Sequence, residues 1–216
     1  MMRTMKTRTQ PTSTGAGPFD LSGFLETILA GYQSVKANST LDSSHPFWSM
    51  FKDASKSVGA LPPVAKHRDV IVKWSMGQGV WAKVPWLALL DSRETRFTND
   101  GVYVIYLFRM DMSGVYLTVN QGVSRIRSRL GGREARDQMQ RQAANLRKRF
   151  SGLAAHGFSL DDGIHLRADH ALGQDYEAAT VAYRLYEAGG VPPTGEMVAD
   201  LGHALDSYVA YVDARR

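Results

Sequence analysis

Between Arg68 and Val123 the chain carries four apolar runs, Val70–Trp74, Val84–Leu90, Val102–Phe108 and Val115–Val119, each rich in β-branched and aromatic residues. Runs of this length and composition, bounded by Gly, Asp and Asn, are strand signals. Four of them in so short a stretch predict a central sheet to which the remaining chain is support. The connection from Arg109 to Gly114 is hairpin-sized and ends in Gly, which predicts antiparallel pairing of the last two strands. The first two runs are separated by Met76-Gly77-Gln78-Gly79-Val80-Trp81, a loop flanked by Trp74, Trp81 and Trp86. Its two glycines open backbone conformations closed to other residues.

The flanks read as helices. Leu21, Phe24, Leu25, Ile28, Leu29 and Tyr32 recur at three- and four-residue spacing and define a stripe facing the core. A second short helix is predicted after Ser44-His45-Pro46, ending before Leu61-Pro62-Pro63, whose prolines lead into the first strand. From Arg125 to Leu153 the segment is crowded with arginine. Ala135, Met139, Ala143, Leu146, Phe150 and Leu153 still recur at helical spacing, which predicts an amphipathic helix with a basic outer face. Ile164-His165-Leu166 is a candidate edge strand. Gln174–Glu187 reads as a helix through Tyr176, Ala179, Ala182, Tyr183 and Tyr186, and a last helix follows Thr194 as its expected N-cap. Residues 1–17 are basic, Thr-rich and without an apolar centre, so they predict a disordered tail rather than a secretory signal; an organellar transit peptide shares that composition. The expectation is a single α+β domain over residues 18–216, with a central, mostly antiparallel (mixed) sheet flanked by helices.

Composition narrows the function classes. No apolar run approaches the ~20 residues of a membrane helix, so the expectation is a cytoplasmic protein without membrane contact. With 26 Lys+Arg against 21 Asp+Glu, the net charge of +5 mildly favours an anionic partner such as nucleic acid. The absence of cysteine excludes disulfides, thiolate catalysis and Cys-ligated zinc. Gly77-Gln78-Gly79 lacks the third glycine of a dinucleotide loop, because Ala82 stands there, and no GxxxxGK[ST], HExxH or GxSxG occurs. No cofactor, metal site or catalytic residue is therefore predicted. Asp91, Glu94, Asp100 and Asp111 cluster near strand ends and leave a metal-dependent nuclease open as an alternative, beside their plainer role in loops and caps. On the third strand Tyr103, Ile105 and Leu107 share one face, so one face is free to bury while the other contacts a ligand.

Taken together these residues resemble a known family. Ser75-Met76-Gly77-Gln78-Gly79-Val80-Trp81, then Val84-Pro85-Trp86, Gly101-Val102-Tyr103 and Tyr116-Leu117-Thr118-Val119-Asn120-Gln121-Gly122 are similar to the N-terminal DNA-recognition domains of the McrB type, which belong to methylcytosine-dependent (type IV) restriction systems. Gly173-Gln174-Asp175-Tyr176 and Asp200-Leu201 look like that family's closing helices. The resemblance implies a non-catalytic module that binds double-stranded DNA carrying a modified base and rotates that base into a protein pocket, while a separate motor or nuclease subunit supplies cleavage. By matching position it implies a base pocket of Trp86, Tyr103, Leu107 and Leu172, with Gly77, Gln78 and Gly79 as the loop entering the duplex. Two of these depart from the family pattern: Gln78 and Leu172 stand where aromatics are expected. Lys66, His67, Arg68, Lys73, Lys83, Arg93 and Arg96 are the nearest basic residues in sequence and are the expected phosphate contacts. A protein-interaction module on the same fold is a further alternative.

Overall fold

The computed structural model describes residues 19–215; the expected basic tail of residues 1–17 lies outside the described residues. Five strands form one sheet in the order β1-β2-β3-β4-β5, and every neighbouring pair is antiparallel. They are β1 (Val70–Gly77), β2 (Trp81–Asp91), β3 (Val102–Phe108), β4 (Gly114–Gln121) and β5 (Thr180–Glu187). The four expected strands are present, and the sheet contains no parallel pair. Its upper end carries the β1–β2 and β3–β4 hairpins, and its lower end carries the long connection from Ser92 to Gly101.

Helices α1 (Leu21–Asn38), α2 (Pro46–Gly59) and α7 (Thr194–Asp213) cover one face, here the helix face. The α1 stripe Leu21, Phe24, Leu25, Ile28, Leu29 and Tyr32 is buried as its spacing requires. On α2, Phe51 packs against Trp74 of β1 and Phe108 of β3. From α7, the Tyr208 hydroxyl accepts the Asp91 N–H at 2.9 Å, and Asp200 takes Arg184 and the Tyr186 hydroxyl, each at 2.8 Å. The opposite face is covered by residues 158–178, here the loop face. There the Asn120 amide donates to the Tyr176 carbonyl, and the Tyr116 hydroxyl meets the His165 carbonyl at 3.3 Å. Both β3 and β4 are buried along their whole length. The expectation that β3 leaves one face open is corrected: residues 158–178 close it, and nothing local in β3 announces them.

Four further expectations change. Gln174–Glu187 is not one helix: α6 (Ala171–Ala178) ends and the chain turns into β5. The tyrosines fit a helical period, but Thr180-Val181-Ala182-Tyr183 is also good strand sequence, and the open edge of β4 supplies the hydrogen bonds that decide. Ile164-His165-Leu166 forms no strand; it belongs to the covering loop, with Ile164 and Leu166 buried, and the Met110 N–H donates to the Leu166 carbonyl. The basic helix divides at Gly131, φ 80°, into α4 (Ser124–Leu130) and α5 (Gly132–Arg147), followed by a 3-10 turn over Ser151–His156. Thr194 is the first residue of α7 rather than its cap; its hydroxyl donates to Asp20 at 2.6 Å and accepts the Ser22 N–H at 3.0 Å, fastening α7 to α1. Pro62-Pro63 also open a single helical turn, α3 (Pro62–Ala65), before β1.

Candidate functional site

The β1–β2 hairpin is a fixed structure at its root and open at its tip. Register shifts between Ser75 and Gly77, and the Ser75 hydroxyl accepts the Gly77 N–H at 3.1 Å. Gly77 sits at φ 119°, and a Cβ there would stand 1.9 Å from the Val80 carbonyl oxygen, so only glycine closes this turn. The Tyr32 hydroxyl reaches the Met76 and Ala82 carbonyls at 3.3 and 3.0 Å, holding the root against α1. Beyond that clamp Gln78, Gly79 and Val80 are exposed, and Val80 is 74% exposed. The apolar residue at the tip is thus Val80, directly after the glycines.

The three tryptophans around the hairpin divide by face. Trp74 stacks edge-on with Trp48 of α2 at 4.9 Å, and Trp81 does the same with Tyr32 and His45 while its indole N–H donates to the Ser39 carbonyl at 2.8 Å. Both belong to the packing of the helix face. Trp86 pairs across the sheet with Ser75 and Leu107, which puts it on the loop face. It is half-buried and makes no aromatic pair among the described residues.

The other expected pocket residues lie on the same side to different degrees. Leu107 is the cross-strand neighbour of Trp86 and is fully buried. Tyr103 is also fully buried and lies four residues lower on β3, roughly 13 Å away. Its hydroxyl donates toward the Thr98 and Gln121 carbonyls at 2.9 and 3.3 Å, and burial raises its pKa well above the ordinary value. Leu172, on α6, is 40% exposed, three residues from the Lys83–Asp169 ion pair that joins the start of α6 to β2.

The expected phosphate contacts do not form one patch. Lys83 lies at the upper end with the hairpin and is paired with Asp169 at 2.8 Å. Lys66, Arg68, Arg93 and Arg96 lie at the lower end, roughly 23 Å from the hairpin at 3.3 Å per residue of strand, because antiparallel pairing carries the flanks of a hairpin away from its tip. Lys66 and His67 both bind Asp206, at 2.6 and 2.9 Å. Arg93 is enclosed by Asp91, Asp69 and Asp213 at 2.6, 3.3 and 2.8 Å. Lys73 donates to the Arg96 carbonyl and lies over the Phe97 ring. Arg68 and Arg96 are exposed and make no ion pair among the described residues. Sequence reasoning missed Lys36 and His170 at the upper end. They come from α1 and the start of α6, and the charge of Lys83 reaches both; burial first, then that charge, lowers the pKa of each.

A family model described as MrcB-like, N-terminal domain matches residues 27–213. The chain belongs to that family. It suggests a DNA-binding role in a restriction system. Neither curated proteins nor solved structures yield a match.

Several motif residues of this MrcB-like domain hold the fold together. The Asn120 amide bonds Tyr176 and Thr180, and the Gln121 amide donates to the Met139 and Ala179 carbonyls at 3.2 Å, tying β4 to α5 and to the α6–β5 corner. Gly122 admits the Asp100 backbone so closely that a Cβ would meet its nitrogen at 2.1 Å. Asp175 is buried and receives Arg127 and Arg136 from α4 and α5. The four acids considered for nuclease chemistry are each engaged by an arginine: Asp91 by Arg93, Glu94 by Arg215, Asp100 by Arg125 and Asp111 by Arg167. Asp111 lies at the upper end and the other three at the lower. Among the described residues no group of three His, Asp or Glu is placed to hold a metal ion, and no helix is long and apolar enough to cross a membrane.

Proposed function

We propose that this domain recognises duplex DNA carrying a 5-methylcytosine-type base by turning that base out of the stack against Trp86. The observation that carries the proposal is the division of the tryptophans: Trp74 and Trp81 are locked into the helix face, while Trp86 is half-buried on the other, without an aromatic partner among the described residues, beside a protruding glycine hairpin. Extruding a base costs a few kcal/mol, and stacking on an aromatic ring returns about 1–3 kcal/mol. Trp86 supplies the ring, Leu107 its floor and Leu172 an apolar wall able to sense a methyl group by shape. Tyr103 supports the floor from within. The hairpin enters the duplex, with Val80 filling the vacated space and Gln78 beside it for hydrogen bonding. Lys83 and Lys73 are the nearest of the phosphate contacts, with Arg68 and Arg96 extending the footprint. A separate motor or nuclease subunit cuts, and the whole acts in the cytoplasm.

The test is a binding panel of otherwise identical duplexes containing cytosine, 5-methylcytosine, 5-hydroxymethylcytosine or N6-methyladenine. The wild type should prefer one cytosine modification. Trp86→Ala should abolish that preference and leave weak, salt-sensitive binding to every duplex. An equal loss of affinity for modified and plain DNA would remove Trp86 from the pocket.

A further inference from the structure

At the lower end of the sheet Phe97 is held on the surface. Its ring is 65% exposed, yet its backbone is fixed in both directions, because the Thr95 hydroxyl donates to the Phe97 carbonyl at 2.8 Å and accepts the Phe97 N–H at 3.1 Å. The ammonium of Lys73 lies 4.7 Å from the ring centroid, which the negative potential of an aromatic face favours. An ordered aromatic ring with a cation beside it and no apolar cover is a surface prepared for stacking.

Two cavities meet at this point. One, of about 610 Å³, has Phe97 as its single apolar lining residue and is otherwise walled by polar groups that include Asn99, Ser124 and Ser128. The other, of about 560 Å³, opens between α4, α5 and the end of α7 and is lined in part by Arg129, Gln142, Asn145 and Tyr211. The Asp100–Arg125 ion pair is the wall common to both. Within them Asp100 is neutralised by Arg125, and Glu94 accepts two bonds from Arg215 at 2.9 Å. Arg129 makes no ion pair among the described residues, and its charge reaches Asp100 only at longer range than that of Arg125. The side chains of Asn99, Ser124, Ser128, Gln142 and Asn145 make no hydrogen bond to protein among those residues either.

We propose that this double cavity is a second nucleic-acid site, which takes an unpaired nucleotide of a single strand by stacking its base on Phe97 and holding its phosphate at Arg129. A nucleobase offers a flat face for the ring and edge groups for the amides and hydroxyls, and the phosphodiester offers the charge that Arg129 lacks. An inorganic anion has no use for the ring, and an apolar peptide, though it would meet Val102, Ile126 and Leu146 in the second cavity, would leave Arg129 and the amides and hydroxyls of both walls without partners. The site lies roughly 23 Å from the hairpin by strand length and rests on Phe97 and Arg129, neither of which the Trp86 reading uses.

The experiment measures fluorescence anisotropy of labelled eight-nucleotide thymidylate and uridylate strands with the whole chain at low salt. Wild type should bind at least one strand, and which of the two is tighter tells DNA from RNA. Phe97→Ala should weaken that binding roughly tenfold, Phe97→Tyr should retain it, and Arg129→Glu should both weaken it and flatten its salt dependence. The proposal is overturned if neither strand binds, if Phe97→Ala binds as well as wild type, or if Phe97→Ala also abolishes preference among the modified duplexes, which would merge the two sites. Strand binding that depends on Phe97 without any duplex preference would uphold this site and remove the Trp86 reading alone.

Discussion

Replacing Arg93 by alanine removes three ion pairs at once and leaves the carboxylate of Asp91, fully buried, without its cation. Removing one partner of a buried pair costs about 3–5 kcal/mol, so Arg93→Ala should lower the melting temperature by on the order of 10 °C. Salt dependence of DNA binding should hardly move, and a titration against duplex at several salt concentrations checks that half. Arg93 was among the basic residues nearest to the loops in sequence. Its ion pair with Asp213, 120 residues away, was not legible, because no local pattern carries a contact of that range. Trp86 differs in what could be read. Its type and position were legible, and its distinction from Trp74 and Trp81 follows from strand alternation once the register of β1 and β2 is known.

At the scale of elements the hairpin is the sharpest test. Gly77→Ala introduces a Cβ 1.9 Å from the Val80 carbonyl at a positive φ and forces the turn open, at a cost of roughly 2 kcal/mol or more. In Gly79→Ala the new methyl meets nothing within 4 Å, leaving only the backbone term of about 1 kcal/mol. Hydrogen exchange should show the amides from Ser75 to Trp81 losing protection in Gly77→Ala and largely keeping it in Gly79→Ala. Helices α1 and α2 and the first four strands were legible because their apolar spacing agrees with the element they form. β5 was not: its tyrosines satisfy both a helical and an alternating period, and only the free edge of β4 chooses between them. The break between α4 and α5 was marked by Gly131-Gly132, which the run of arginines continuing on both sides obscured.

The molecule as a whole should be acid-labile. Burial alone would raise the Asp91 carboxyl, but hydrogen bonds and charge from Arg93 outweigh it and hold it below its ordinary 3.8; Asp100 is held low mainly by its bond to Arg125. A folded pKa below the unfolded one means that the stabilisation is full above pH 3.8 and is lost as pH falls through the lowered folded values. Melting temperatures followed by circular dichroism should therefore be insensitive to these groups near neutrality and drop below about pH 4. In Arg93→Ala the drop should be shallower, since Asp91 no longer contributes to it.

The position of α7 in the chain has a consequence for synthesis. Strands β1 to β4 pair only with sequence neighbours and can zip together as they emerge, but the helix covering part of β3 and β4 follows Gln121 by about 70 residues. At the roughly 5–20 residues per second of a ribosome, that strip of sheet stays bare for several seconds. During that time it is a surface for chaperones or for another nascent chain.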